Sequence, residues 1–148
     1  MWATPCVLRR SNSAVHICYS YRIQANNDWK KTLGGQWRQY EQVFPAPAKS
    51  SVDQVSLECF HWHVPPDLMA LLACKDVMVG VIDVASDVIE TPEEVADTIA
   101  RAVQFVPRER LIACTNCGLA PMSRAVAEAK LRALADGAAL ARARLGGG

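Results

Sequence analysis

Residues 77–84 read Val-Met-Val-Gly-Val-Ile-Asp-Val. The run is continuous, apolar and β-branched, which is the pattern of a strand covered on both faces in a parallel sheet. Three shorter runs of the same leaning surround it: residues 14–18 (AVHIC), 54–58 (QVSLE) and 111–114 (LIAC). Asp53 and the Ser50-Ser51 pair mark the turn before the second of these. Helical patterns fill the intervals. Pro65 and Pro66 stand where a helix over 67–73 can begin. Thr91, Pro92 and Glu94 form a helix start in which Thr91 is the N-cap, Pro92 the first helical residue and Glu94 the far side of a capping box. The face Val95, Ile99, Ala102, Val103 and Val106 then repeats at helical spacing until Pro107 stops it. Residues 122–145 read as one long Ala-rich helix with Gly137 as a weak point and a frayed end at 146–148. Residues 24–36, with Asn26, Asn27, Gly34 and Gly35, read as a polar loop with room for one short helix. Residues 36–43 are compatible with a helix that Pro45 and Pro47 should end.

Strand and helix thus alternate through four units, which predicts an α/β fold with a parallel sheet. Four units are half of an eight-stranded barrel, which needs about 250 residues. The competing arrangement is an open four-stranded sheet with helices on both faces.

The chain has 148 residues, one domain's worth, with 51% hydrophobic and 21% charged residues. A core is feasible and wholesale disorder is not. The formal net charge of +1 gives no electrostatic case for a nucleic-acid or membrane-surface protein. Arg124, Lys130, Arg132, Arg142 and Arg144 are spread on the last helix among Glu128 and Asp136, and cations near a helix C-terminus have a dipole explanation. The apolar runs fall far short of the roughly 20 residues of a membrane span. No apolar h-region follows residues 1–6, so a secretory signal is not expected. Six cysteines are too few for a disulfide scaffold, and a reducing, cytoplasmic compartment is expected. There, cysteines serve as metal ligands, catalytic groups or small core residues.

His16 and Cys18 lie two apart at the end of the first strand, so both side chains point to one face. Glu58 closes the second strand, and Cys117 follows the fourth in the run Cys114-Thr-Asn-Cys117-Gly118-Leu119. Parallel strands place their C-terminal ends on one rim, where His16, Cys18, Glu58 and Cys117 are predicted to converge. Two thiolates, an imidazole and a carboxylate suit Zn²⁺. Other readings stand beside this one. The Cys114-x-x-Cys117 pair also fits a redox motif, or two small buried residues. Cys6, Cys59 and Cys74 read as packing residues. His61 and His63 form an alternative metal pair, with two surface histidines as the plainer reading.

At these residues the chain resembles the catalytic domain of cobalamin-independent methionine synthase. The matching segments are residues 14–21 (AVHICYSY), 55–58 (VSLE), 79–99 (VGVIDVASDVIETPEEVADTI) and 114–134 (CTNCGLAPMSRAVAEAKLRAL). With the spacing between them they cover residues 14–145, leaving 1–13 as a non-homologous start. Residues 25–40 resemble the longer loop of a compact, single-domain branch of the family. The resemblance implies a (β/α)8 barrel, of which this chain corresponds to the C-terminal half. It also implies that His16, Cys18, Glu58 and Cys117 are zinc ligands, and that Asp83 stands on the substrate side. The implied substrates are homocysteine, held as the thiolate, and a methyltetrahydrofolate whose N5-methyl group the thiolate attacks. Glu58 is the least thiophilic ligand, and it is expected to loosen when substrate sulfur enters.

The chain also departs from the family. Better-known members carry a proton-donating His two residues after the Asp of Asp83-Val84-Ala85, where Ala85 stands here. Their Asp-Cys-Gly is Asn116-Cys117-Gly118 in this chain, which leaves the metal's surroundings less anionic. Half a barrel exposes sheet edges and an apolar face, so a partner half or self-association is expected. Two other functions remain open: a zinc alkyltransferase acting on another thiol, of coenzyme M type, and a zinc-binding module without turnover.

Overall fold

The structure, a computed structural model, describes residues 12–19, 23–61 and 63–146. Strands β1 (Ala14–Ile17), β2 (Gln54–Glu58), β3 (Asp76–Ile82) and β4 (Leu111–Thr115) form one parallel sheet in the order β1-β2-β3-β4. Each strand is added on the same side as the one before. With crossovers of one hand, such an order keeps the connecting helices on one face. A doubly wound open sheet needs a reversal of strand order. This chain has none, so the progression is that of a barrel.

The register sorts the side chains into two faces. Val15, Val55, Val77 and Leu111 lie side by side in one row, and Ile17, Leu57, Val79 and Ala113 in the next. These rows pack against α4 (Pro92–Ala102) and α5 (Arg124–Arg144) through Val95, Ala96, Ile99 and Ala133. Burying each Val or Leu of such a row contributes about 1.5–3 kcal/mol. The opposite face carries His16, Ser56, Met78 and Ile112 in one row and Glu58, Gly80 and Cys114 in the next. It is this second face that holds the polar groups with chemistry.

The start of α4 is as the sequence predicts. The Thr91 hydroxyl accepts from the Glu94 N–H at 3.2 Å, and a Glu94 carboxylate oxygen accepts from the Thr91 N–H at 2.8 Å. Elsewhere the structure corrects the local reading. Residues 36–43 do not make one helix: only α2 (Tyr40–Val43) forms, and Pro45 and Pro47 do not end the helical path. They open a further short helix, α3 (Pro45–Lys49), because an N–H in the first turn has no acceptor and is not missed. The polar stretch contains α1 (Gln24–Lys31). The segment Pro66–Leu72 is 3₁₀ rather than α-helical. β3 ends at Ile82, short of Val84, after a register irregularity between Gly80 and Ile82; the Asp83 N–H turns away from the ladder to Glu90.

Two residues of α5 have roles that the sequence reading did not assign. A Cβ on Gly137 would lie 2.4 Å from the Val95 Cβ and 2.9 Å from the Pro92 carbonyl oxygen. Gly137 is thus the contact that lets α5 approach α4. Lys130 is not on a solvated face: it is 0% exposed, and its ammonium donates to both Glu90 oxygens at 2.9 and 3.0 Å and to the Val88 carbonyl. No helix among the described residues is long and apolar enough to cross a membrane.

Candidate metal centre and adjoining cleft

His16 lies on β1, Cys18 just beyond its end, Glu58 at the last position of β2 and Cys117 two residues past β4. Parallel pairing brings these strand ends to one rim. One ligand atom from each of the four residues lies within 4.8 Å of all the others. The Cys18 and Cys117 sulfurs are 3.9 Å apart, well beyond the ~2.05 Å of a disulfide. His16 Nε2 is 3.7 Å from a Glu58 oxygen. His16 Nδ1 lies 2.9 Å from the Ser56 hydroxyl. The tautomer that donates Nδ1–H to Ser56 leaves the Nε2 lone pair facing the group, the usual way a second contact aims a histidine at a metal.

Glu58 provides the test of whether these residues fit a cation. The residue is 2% exposed, and neither carboxylate oxygen has a hydrogen-bond partner among the described residues. A carboxylate buried without donors is costly unless a positive charge sits beside it. A divalent cation held by the four ligand atoms would balance that charge, and the S₂NO donor set suits zinc.

The turn carrying Cys117 is fixed from three directions. Thr115 donates its hydroxyl to the Cys117 carbonyl at 2.8 Å, the Asn116 N–H donates to the Ile82 carbonyl at 2.9 Å, and the Phe60 N–H donates to Asn116 Oδ1 at 3.3 Å. Gly80 makes this possible. A Cβ there would stand 2.4 Å from Asn116 Oδ1 and 2.8 Å from its Cα. The signal was present in the sequence as a glycine inside the strand run, a mark of close backbone approach.

The remaining candidates fall outside the group. Burial pushes the Cys114 thiol up to about 11, with a contact to Ser56 opposing, so it stays protonated near neutral pH. Burial likewise raises the Cys59 thiol far above its ordinary range. Cys74 is exposed, with its thiol 3.5 Å from the Ala48 carbonyl oxygen, so it is not the packing residue expected. Cys6 lies outside the described residues. His61 and His63 lie outside the four-residue group, with ring centroids 5.8 Å apart: His61 Nε2 faces an Asp83 oxygen at 3.4 Å, while His63 stacks on Trp37 with centroids 4.7 Å apart at 15°. Asp83 also accepts from the Ala85 N–H at 2.9 Å. Its own N–H is held at 2.8 Å by Glu90, the carboxylate that Lys130 clamps. A cleft of about 340 Å³ adjoins the four-residue group, sharing Glu58 with it and continuing past Asn116, Lys30, Trp37, His61 and His63.

Comparison with known proteins places this geometry among relatives. The sequence profile of the cobalamin-independent synthase catalytic domain matches residues 38–140. The 2-hydroxypropyl-CoM lyase of Xanthobacter autotrophicus is 39% identical over 97 residues, which are 66% of this chain and 24% of that protein. The 5-methyltetrahydropteroyltriglutamate–homocysteine methyltransferase of Rhodococcus jostii is 32% identical over 145 residues, 97% of this chain and 17% of its own length. A solved B12-independent methionine synthase from Shewanella, in complex with selenomethionine, superposes with a TM-score of 0.85 at 55% identity, covering 94% of this chain and 41% of that one. The chain therefore spans less than half the length of each of these relatives.

Proposed function

Since the chain belongs to the family of the cobalamin-independent synthase catalytic domain, we propose that it is a zinc-site protein that activates a thiol for alkyl transfer. His16, Cys18, Glu58 and Cys117 would hold the ion, and the observation that carries this is the buried Glu58 carboxylate with two unpartnered oxygens inside a four-ligand group. Bound there, the metal supplies a cation that favours loss of a thiol's proton near neutral pH, where a free thiol of pKa about 8.5 is mostly protonated. The rest belongs to the chain. Ser56 aims His16, the Asn116 turn on Gly80 presents Cys117, and the cleft orients the thiol. In the methionine-synthase reading the thiol is homocysteine. Its sulfur attacks the N5-methyl carbon of a methyltetrahydrofolate, the S–C bond forms as the N–C bond breaks, and the nitrogen takes a proton. Ala85 carries no proton to give; His61, oriented by Asp83, is one of the two imidazoles that line the cleft. Residues 14–145 form the homologous unit in this reading, and the barrel is completed by residues outside them.

A second reading is favoured by one observation, the 39% identity to the 2-hydroxypropyl-CoM lyase. Here the same ligands activate a sulfonated thiol. Metal analysis of the purified chain tests the shared part: about one zinc per chain is expected, lost in Cys18→Ser and Cys117→Ser and kept in Cys114→Ser. Loss in Cys114→Ser equal to that in Cys117→Ser would overturn the ligand set. Methyl transfer to homocysteine or to 2-mercaptoethanesulfonate then separates the two readings. Zinc without transfer to either thiol leaves a zinc-binding module.

A further inference from the structure

A buried ion pair stands behind the cleft, and neither the metal group nor thiol activation uses it. Lys130 is 0% and Glu90 6% exposed. Breaking such a pair is costly, but replacing both partners by apolar residues of similar volume is often neutral, so stability alone does not call for charge here. A fully hydrogen-bonded buried carboxylate does secure one position. The Lys130 ammonium donates to both Glu90 oxygens, and Oε1 also accepts from the Asp83 N–H at 2.8 Å. The Asp83 side chain is fixed as well: its Oδ1 accepts from the Ala85 N–H at 2.9 Å. The same oxygen faces His61 Nε2 at 3.4 Å. The two imidazoles of the cleft are unlike. Burial first, then the charges of His61 and Lys30, hold His63 below the ordinary imidazole range, and its ring is stacked on Trp37. His63 is therefore neutral near neutral pH. Around His61 the Phe60 ring lies edge-on at 4.9 Å, the His63 ring at 5.8 Å and the Asp83 carboxylate at Nε2. A carboxylate on one nitrogen fixes the ring and decides which nitrogen exchanges protons elsewhere.

We infer that Glu90, held by Lys130, is a positioning residue for His61: by fixing Asp83 it sets the imidazole with Nε2–H toward the Asp83 carboxylate, so that the proton passed to the leaving nitrogen comes from Nδ1. The inference rests on the methionine-synthase form of the thiol-activation reading. It adds which of the two imidazoles serves and what holds it in place. In that step the imidazolium gives its Nδ1 proton to the nitrogen that loses its methyl group. The ring is left neutral, with the Nε2 proton still against Asp83. Glu90 exchanges no proton itself and acts through Asp83.

Proton magnetic resonance of the full chain, with isotope-labelled histidine, tests this without metal or substrate. A downfield Nε2–H signal is expected for His61, identified by its absence in His61→Gln, and it should be lost in Asp83→Ala. Two neutral replacements of the ion pair then separate position from stability. Lys130→Met with Glu90→Gln keeps an acceptor for the Asp83 N–H and should keep the signal. Lys130→Met with Glu90→Leu removes the acceptor and should lose the signal to solvent exchange, with the far-UV circular dichroism unchanged. Survival of the signal in the leucine pair makes Glu90 structural only and overturns the inference. Its loss in the glutamine pair, or its absence from the unaltered chain, does the same. If the leucine pair fails to fold, the unaltered chain decides: the Asp83 amide should exchange at least about tenfold more slowly than in an unfolded peptide, and equal rates overturn the inference. Methyl transfer to homocysteine gives a further readout. The leucine pair should have a kcat about tenfold or more below the glutamine pair, with the same KM for the thiol, and equal kcat values overturn the role in proton supply. A chain that transfers no methyl group but shows this pattern of signals loses the thiol-activation reading and keeps the positioning of His61 by Glu90.

Discussion

Glu58 shows how much of a site can rest on one side chain. A carboxylate at the end of a buried strand is ordinarily surrounded by donors, and this one has none of its own. Its neighbours are two sulfurs and an imidazole, each a poor donor in its metal-binding form, so the charge is left for a cation to balance. Ser56 matters next. Its hydroxyl meets His16 Nδ1 on one side and Cys114 on the other. Ser56→Ala is expected to weaken zinc binding about 10–100-fold, the usual cost of removing a contact that orients a ligand, with the circular dichroism spectrum unchanged. Competition with a chromophoric chelator measures it. Unchanged affinity would mean that the strand alone aims the imidazole. The residue types of the site were legible in the sequence, because imidazole, thiol and carboxylate at strand ends advertise themselves. The bareness of Glu58 was not, since a missing partner is a property of the surroundings.

At the scale of elements, local chemistry decides where it is strong. The Thr91–Glu94 box was readable because all of its atoms lie within one turn of chain. The double use of Pro45 and Pro47 was misread because a proline that forbids the continuation of one helix equally suits the start of another. Gly137 illustrates the reverse of a local rule. In an exposed helix, Gly→Ala stabilises by about 1 kcal/mol. Here the new Cβ would meet Val95 at 2.4 Å, with the Pro92 carbonyl behind it. Gly137→Ala is therefore expected to destabilise by about 1–3 kcal/mol through overpacking, read as a lower midpoint in urea. A stabilised variant would show that α5 can step away from α4 without loss.

Across the whole molecule, a buried chain of charge links α5 to the cleft. Lys130 neutralises Glu90, Glu90 holds the Asp83 N–H, and the Asp83 carboxylate faces His61. Lys130→Met removes the charged partner that Glu90 has among the described residues and leaves Glu90 buried and uncompensated. The expected cost is about 3–5 kcal/mol in chemical denaturation. Adding Glu90→Gln should recover part of it, because the amide still accepts from Asp83 and carries no charge. A cost below about 1 kcal/mol for Lys130→Met would show that water reaches the pair. The proposed metal would act at the same scale. The four proposed ligands, drawn from three strands, would bind an ion only when the sheet is formed, so zinc at a hundred times its dissociation constant should stabilise by about 2.7 kcal/mol. Removing it with a chelator should lower the melting temperature by about 8 °C. No change on chelation, in protein shown to have held zinc, would mean that the ligands also meet in the unfolded chain.

By itself the sequence determined the strand and helix alternation, the capped start of α4 and the kinds of atom available to a metal, because each depends on neighbours a few residues away. It left two sheet architectures open and gave Lys130 no role beyond that of one helix cation among several. The tertiary structure decided those points: the unreversed order of four parallel strands, the burial of Lys130 against Glu90, and the meeting of four ligand atoms within 4.8 Å. Each joins elements some 20 or more residues apart, and such pairings are set by which faces pack together, which no short stretch of chain encodes.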